Sequence, residues 1–367
     1  MKYKYRFLLM VHISCFCLFS FTSVAASKDT IRAVSLHPFG RYLQNPNGNL
    51  ELISSAVHFG FHFTGSYCSV FASLSDPGAH NYLQYTVDGI YDRRIRVSGN
   101  ISRSYNITGL GKGEHTIWIY KATEAATGPV FIQKVTGHNI AAVSVPDQAV
   151  IEFIGNSITC GAQADPSEVP CGMGEYHDQH NAYYAYGPRI SRILNLNFIL
   201  SSVSGIGIYR TWNTNGPSMP QVYEKSDFLL NSTRNWDFKK YSPAVVSIAL
   251  GTNDFSDGDG RMPRPPFDSA VFVNGYIRFV ELVKSKYPKT QIALLSSPMI
   301  NGKKRILLQN CLKAVKAQID KKYPSNKRVA LFFFPPMSAR GCGGHPSVED
   351  HAILATELVP FFKKLME

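Results

Sequence analysis

The sequence predicts a β-sandwich followed by a doubly wound α/β domain. Over residues 30–145, short alternating strands are separated by turn signals, with no convincing helix among them. Over residues 146–367, near-continuous apolar strands alternate with helical patterns, and we place the boundary near residues 144–148. The chain has 367 residues, 44% hydrophobic and 17% charged, which suits two globular domains.

The first 26 residues have the pattern of a secretory signal peptide. Lys2, Lys4 and Arg6 precede an apolar run over residues 7–21, and Val24-Ala25-Ala26 provides the small residues of a cleavage site. A membrane anchor is the alternative, but the apolar run is short for a spanning helix. We therefore expect an exported protein, secreted or periplasmic, with no membrane span after signal cleavage.

The predicted sandwich contains strands of period two. Residues 57–63 alternate between apolar and polar or small side chains, as a half-buried strand does. Residues 82–87 end in Asp88-Gly89, a hairpin signal, and the glycine-rich segment 109–113 precedes a strand at residues 114–120. Strands at this spacing favour a sandwich.

Three histidines fall in these strands: His58, His62 and His115. We interpret them as residues of a solvent-facing sheet surface rather than as metal ligands. The chain also has no CxxC pair. The sequence therefore predicts neither a metal nor a cofactor.

The second domain is predicted from apolar strands and the helices between them. The strands cover residues 149–154, 244–250, 291–295 and 329–334, and their apolar character is typical of a parallel sheet covered on both faces. Three helices are predicted: one that begins near Asp268 or Ser269, one over residues 303–322 and one over residues 348–366.

Four loops that follow these strands carry polar residues and glycines. They are Gly155-Asn156-Ser157-Ile158-Thr159, the segment 201–205 after a further strand at 197–200, Gly251-Thr252-Asn253-Asp254, and Gly341-Cys342-Gly343-Gly344-His345-Pro346. In open α/β sheets the active residues lie just past the carboxyl ends of the strands. We therefore expect these loops to converge on one site.

The residue types in these loops suit acyl transfer. Ser157 is the candidate nucleophile and His345 its base, because a neutral imidazole accepts the hydroxyl proton near neutral pH. The backbone N–H groups of Ser157 and Gly205 and the side-chain amide of Asn253 are candidate donors to the oxyanion. The alternatives are a helix cap for Ser157, a turn residue for Asn253, and His351 as the base.

These blocks resemble those of the SGNH, or GDSL-like, hydrolases. The segments Lys121-Ala122-Thr123-Glu124 and 181–188 also resemble carbohydrate esterase family two, whose N-terminal domain is a jelly roll. The resemblance implies a flavodoxin-like three-layer α/β/α catalytic domain with a parallel sheet. It also implies an acetyl xylan esterase-like activity on acetylated plant polysaccharides such as xylan or glucomannan.

Two positions depart from the pattern of these hydrolases. Asn156 stands where Asp is usual, and Cys342 occupies the place of the triad acid, three residues before His345. Gly343, where relatives often carry Asp, is not acidic either. We predict a Ser157–His345 dyad in which the carbonyl of Gly343 or Cys342 orients the imidazole. Glu349 and Asp350 are the acids whose replacement tests this prediction.

Aromatic residues near the site are candidates for binding sugar. Tyr209 and Trp212 follow the Gly205 loop and are preferred over Tyr183 and Trp236. Arg210 is predicted to bind a charged sugar or to pair with a carboxylate. We interpret the polar segment 177–180 as a solvent-exposed loop, with a segment that lines the cleft as the alternative.

Two other functions stay open. A non-catalytic carbohydrate-binding protein is compatible with the sandwich, and a lipase or thioesterase is compatible with the α/β fold. Nucleic-acid binding is not expected from the net charge of +12, because the basic residues are scattered and form no stripe interleaved with aromatics.

Five cysteines follow the signal segment: Cys68, Cys160, Cys171, Cys311 and Cys342. Export makes disulfides possible, and the odd number leaves at least one thiol free. Cys160 and Cys171 are close enough in sequence to close a small loop. The pairing itself is left open.

Overall fold

The computed structural model describes residues 29–214, 216–261 and 263–367, so the predicted signal peptide lies outside it. The described residues form two sheets, one of nine strands within residues 30–143 and one of five strands that begins at Val150. The first sheet is antiparallel and the second is parallel. This confirms the predicted fold class. No helix in the described part of the chain has the length and apolarity of a membrane span.

The antiparallel sheet is built from short and long strands. They are β1 (Thr30–Arg32), β2 (Tyr42–Gln44), β3 (Leu50–Leu52), β4 (His58–Ser73), β5 (His80–Val87), β6 (Ile90–Ser98), β7 (Arg103–Ile107), β8 (Glu114–Lys121) and β9 (Val130–Val143). The order is β2-β3-β9-β4-β8-β5-β6, with β1 on β9 and β7 on β4. The predicted alternation in β4 buries Phe59, Phe61 and Phe63 in the core.

The hairpin between β5 and β6 turns at Asp88 and Gly89. Both residues have positive φ, 51° and 85°, as a two-residue turn that follows the twist of the strands requires. Val87 pairs with Ile90 across the turn. The predicted hairpin is confirmed.

The parallel sheet comprises β10 (Val150–Gly155), β11 (Asn197–Ser202), β12 (Val245–Ala249), β13 (Gln291–Leu295) and β14 (Ala330–Phe332). Its order is β11-β10-β12-β13-β14, which is the flavodoxin-like order. In that order, the switch point lies between β10 and β12. The active residues of such sheets collect there.

Six helices accompany this sheet in the described residues: α1 (Ser157–Cys160), α2 (Tyr186–Leu194), α3 (Met219–Val222), α4 (Ser269–Lys286), α5 (Gly302–Lys322) and α6 (Val348–Met366). Helices α4 and α5 pack on one face and α2 and α6 on the other. Asp268 caps α4 by accepting the backbone N–H groups of Ala270 and Val271. The sheet is therefore covered on both faces, as its apolar strands predict.

A buried ion pair joins the two sheets. Glu152, in the middle of β10, accepts hydrogen bonds from the Tyr223 hydroxyl at 2.9 Å and from the guanidinium of Arg41 at 3.4 Å. Arg41 belongs to the segment before β2 and also lies over the Trp236 ring. Trp236, a candidate for sugar binding, therefore packs in the interior.

His58 also lies between the two sheets, 5.2 Å from the ring of Phe198 in β11. Its burial lowers its pKa to about 4. The interpretation of His58 as solvent-facing is therefore wrong. His62 is exposed, and His115 pairs with Asp88 at 2.8 Å.

Candidate active site

Ser157 is the first residue of α1, and only Asn156 separates it from the end of β10. The helix cap is Asn156, whose Oδ1 accepts the Ile158 N–H at 3.1 Å. The cap role that is the alternative for Ser157 is therefore taken by its neighbour. An amide oxygen serves as the acceptor here as well as a carboxylate would, which explains how Asn156 can stand in place of Asp.

The four loops meet in a cleft of about 630 Å³. The residues that line it are Ser157, Gln163, Tyr176, Ser204, Gly205, Trp212, Thr252, Asn253, Ser256, Met299, Gly343 and His345. The structure thus brings together the candidate nucleophile, base and oxyanion donors with Trp212.

The loop that carries Gly205 needs a glycine. Its φ is +75°, and a Cβ atom there would lie 2.8 Å from Cδ1 of Trp212. The Trp212 N–H donates to the Gly205 carbonyl at 2.9 Å. Trp212 therefore packs on the predicted oxyanion loop, and 41% of it remains exposed at the cleft.

Asn253 follows β12 and is almost buried. Its amide nitrogen donates to the Ile206 carbonyl at 2.8 Å. An amide group has two N–H bonds, so one stays available to a ligand in the cleft.

Asp254 anchors the segment after Gly205 through hydrogen bonds to its backbone. Its carboxylate accepts the backbone N–H groups of Ile208 and Tyr209, each at 3.0 Å. Burial raises its pKa to about 6 despite these hydrogen bonds. Arg210 donates to the carbonyls of Asp254 and Pro265, so it binds backbone rather than sugar or a carboxylate.

Tyr209 lies outside the cleft. Its hydroxyl accepts the backbone N–H of Asp268, and its ring packs against Phe267 and Phe272. Tyr183 is buried against Arg192. Of the aromatic candidates for sugar binding, the structure places Trp212 in the cleft.

His345 lies on a loop that ends just before α6. Burial lowers its pKa, and nearby His180 lowers it further, whereas the carbonyls of Cys342 and Gly343 raise it. Its Nδ1 is buried and forms no hydrogen bond of full geometry with the described residues. The bond from Nδ1 to the carbonyl of Gly343 or Cys342 therefore stays a prediction, although both carbonyls are close enough to raise the pKa. His351, the alternative base, is buried within α6 and packs on Tyr186.

The two acids beside His345 are engaged elsewhere. Asp350 accepts hydrogen bonds from the Arg340 guanidinium at 2.7 Å and from the Ser347 N–H at 3.0 Å. Glu349 accepts from the Ser347 hydroxyl at 2.7 Å. These carboxylates stabilise the start of α6.

A disulfide joins Cys171 to Cys342. Cys160, whose sequence position allows a small loop with Cys171, is instead a buried free thiol, as are Cys68 and Cys311. The disulfide ties the long segment after α1 to the loop of His345, across 171 residues of sequence.

That long segment contributes Tyr176, a residue that sequence reasoning missed. Its hydroxyl lies 3.3 Å from Ser204 Oγ and 3.5 Å from His345 Nε2. The neighbouring segment 177–180 is largely buried, so the prediction of a solvent-exposed loop is wrong. The local sequence gives no signal for Tyr176.

Glu124 was also missed as a site residue, although its motif contributed to the resemblance. It follows β8 and is buried, and its carboxylate accepts the Ser204 N–H at 2.5 Å and bonds His180 Nε2 at 3.3 Å. Burial alone would raise its pKa, but these hydrogen bonds and the charge of His180 hold the pKa below its usual value. The first domain thus supports the residue adjacent to Gly205.

Comparison with known proteins gives two matches in succession. The family model described as Carbohydrate esterase 2 N-terminal matches residues 39–146. The GDSL-like Lipase/Acylhydrolase family matches residues 153–330.

Individual relatives agree with this. The chain is 30% identical to Cellulase/esterase CelE of Acetivibrio thermocellus over 88% of its own length but only 39% of that relative's length. It is 26% identical to an Acetylxylan esterase / glucomannan deacetylase of Cellvibrio japonicus, over 94% of the chain and 93% of the relative.

A solved structure also matches: a family two carbohydrate esterase from Clostridium thermocellum in complex with cellohexaose. It superposes with a TM-score of 0.78 at 26% identity, covering 92% of this chain and 99% of that one. The fold and the matched regions define a GDSL-like, or SGNH, ester hydrolase. Within that class, the chain belongs to the family two carbohydrate esterases.

Proposed function

We propose that this chain is an exported serine esterase that removes O-acetyl groups from plant cell-wall polysaccharides, either xylan or glucomannan. The observation that carries the proposal is the meeting of Ser157, Gly205, Asn253 and His345 in one open cleft. The Cellvibrio japonicus relative, named as an acetylxylan esterase and glucomannan deacetylase, supports the substrate class.

In the proposed mechanism, Ser157 Oγ attacks the acetyl carbonyl while His345 takes its proton. The oxyanion receives hydrogen bonds from the N–H groups of Ser157 and Gly205 and from the Asn253 amide, each worth about 3 kcal/mol. The intermediate collapses to acetyl-Ser157, and the sugar hydroxyl leaves with the proton from His345. Water, which gives a proton to His345, then attacks the acetyl carbonyl of acetyl-Ser157. Acetate is released, and Ser157 Oγ takes the proton back from His345.

The lining of the cleft favours a small acyl group on a polar polymer. Most of its residues are polar or glycine, and an apolar channel for a long acyl chain is absent from the described lining. Trp212 offers a partly exposed ring on which a sugar can stack. The lipase and thioesterase alternatives therefore have less support.

Export is supported by the Cys171–Cys342 disulfide, because disulfides persist in oxidising compartments. The signal peptide predicted over residues 1–26 supports export independently.

Acetate release from acetylated xylan and from acetylated glucomannan tests the proposal. We expect release from at least one polymer, with the Ser157→Ala variant as the matched blank. Binding to both polymers without release would favour a carbohydrate-binding protein. Faster cleavage of long-chain than of acetyl 4-nitrophenyl esters would favour a lipase.

Replacing Glu124 by glutamine is expected to lower kcat by roughly 10²-fold, because the Ser204 N–H loses a charged acceptor next to Gly205. The acid limb of kcat/KM should also move to lower pH, since the negative charge of Glu124 raises the pKa of His345. The measurement is the pH profile of acetyl ester hydrolysis.

The matched control is Glu51→Gln, because Glu51 is another nearly buried carboxylate of the first domain that bonds the second, through Arg234 at 2.6 Å. It should keep the pH profile of the parent protein. Equal losses of kcat in both variants, with no pH shift in either, would mean that Glu124 only helps the domains to dock.

A further inference from the structure

Outside the cleft, two histidines and a carboxylate lie together where the domains meet. His80 begins β5, whereas Glu175 and His177 flank Tyr176 in the long segment after α1. One potential ligand atom of each lies within 4.8 Å of those of the other two. The proposed esterase reaction uses none of these three residues.

The hydrogen bonds of the two histidines define which ring nitrogen carries the proton. His177 Nε2 bonds the backbone carbonyl of His80 at 3.0 Å, and His80 Nε2 bonds the carboxylate of Asp178. A carbonyl and a carboxylate only accept, so each Nε2 is the donor. In the neutral rings, both Nδ1 atoms are therefore unprotonated.

Both Nδ1 atoms lie close to the same carboxylate. His80 Nδ1 is 3.7 Å from Glu175 Oε1, and His177 Nδ1 is 3.6 Å from Glu175 Oε2. These distances are too long for hydrogen bonds. They are close to the separation of about 3.4 Å between two ligands of a tetrahedral zinc ion with bonds of about 2.0–2.1 Å.

We propose that His80, Glu175 and His177 bind a divalent metal ion of the Zn²⁺ type. Two imidazoles and a carboxylate are donors that Zn²⁺ prefers. In the neutral rings, the lone pairs of both Nδ1 atoms lie beside the negative Glu175 carboxylate. A cation bound among these three groups would stabilise this arrangement. Asp178 and the His80 carbonyl fix the ring orientations from behind, as outer partners do in metal sites.

The site is also accessible. The side chain of Glu175 is 65% exposed, whereas those of His80 and His177 are nearly buried. An ion can therefore enter from the side of Glu175, and water can occupy a fourth position.

A bound ion would connect the first domain to the cleft. It would link β5 with the residues on either side of Tyr176, whose hydroxyl lies near Ser204 and His345. The metal would act as a clamp on this segment and take no part in the chemistry of the ester. Binding of the ion does not depend on which ester is the substrate.

Titration calorimetry of the untagged, chelator-treated protein with Zn²⁺ tests the site. We expect one ion per chain and a higher Tm with Zn²⁺ than without it. Glu175→Gln, which changes an exposed side chain with little risk to folding, should weaken binding at least about 10-fold, and His177→Ala should do the same. Anomalous scattering at the zinc edge should place the ion among the three side chains.

The matched control is His138→Ala, which removes an exposed histidine 3.5 Å from Asp29 in the same domain. It should bind Zn²⁺ as the parent protein does. Absence of stoichiometric binding by the parent protein would overturn the proposal. Unchanged affinity and Tm shift in both Glu175→Gln and His177→Ala would also overturn it.

Discussion

Replacing Ser157 by alanine is expected to lower kcat for acetyl esters by roughly 10⁶-fold, as loss of the nucleophile does in other serine hydrolases. The groups proposed to bind the oxyanion remain, so a residual acceleration of about 10³–10⁴-fold over water should persist. Initial rates with 4-nitrophenyl acetate, and acetate release from the polymer, measure the loss. Polymer binding should be retained, because the substitution removes only one hydroxyl.

The matched control is Ser256→Ala, which removes another hydroxyl from the same cleft. Ser256 Oγ accepts the Gly258 N–H at 3.0 Å and has no part in the proposed chemistry. Its replacement should change the rate by far less than that of Ser157. Hydrolysis that survives Ser157→Ala would remove Ser157 from the role of nucleophile.

The elements that the sequence predicts well depend on local patterns. Strand β13 and helix α6 have the predicted bounds. An apolar run and a capped helical periodicity can each be recognised within a short stretch of sequence. The convergence of the four loops can also be predicted from the sequence, because the carboxyl ends of parallel strands lie at one edge of the sheet.

The residues that sequence reasoning missed depend on contacts between distant segments. Glu124 is buried because its partners, Ser204 and His180, come from the other domain. A polar residue looks like a surface residue until such partners are known. For the same reason, the polar segment 177–180 has the sequence of an exposed loop although it is largely buried.

Arg210 and Tyr209 show a related limit. Both follow the Gly205 loop in sequence, yet Asp254 holds both away from the cleft. Its carboxylate accepts the Tyr209 N–H, and its backbone carbonyl accepts the Arg210 guanidinium. Proximity to a motif therefore placed Trp212 correctly in the cleft and Tyr209 incorrectly. The direction of a side chain on an irregular loop depends on long-range hydrogen bonds that the local sequence does not reveal.

Replacing His345 by alanine is expected to lower kcat by roughly 10⁶-fold, because Ser157 then has no base. Glu349→Gln and Asp350→Asn should each cost less than about 10-fold, since these carboxylates bond Ser347 and Arg340. Steady-state kinetics on folded variants separates the two cases. A loss of several orders of magnitude in either acid variant would contradict the dyad.

The pH profile provides an independent test of the dyad. His345 accepts a proton only when neutral, and burial lowers its pKa below 6.5. The activity should therefore be level above this pKa and fall as the pH drops through it, at a pH below 6.5. The acid limb of kcat/KM measures the pKa in the free enzyme.

Supplying the missing carboxylate should shift that limb. A Cβ on Gly343 would lie 3.7 Å from His345 Nδ1, with only the end of the Gln163 side chain in its way. The φ of +56° is one that Asp tolerates better than most residues. Gly343→Asp should raise the pKa of His345 and move the acid limb to higher pH, whereas Gly343→Asn, equal in shape but uncharged, should not. If another carboxylate already orients the imidazole, Gly343→Asp will leave the limb in place, and the backbone carbonyls of Cys342 and Gly343 will lose the role that the dyad gives them.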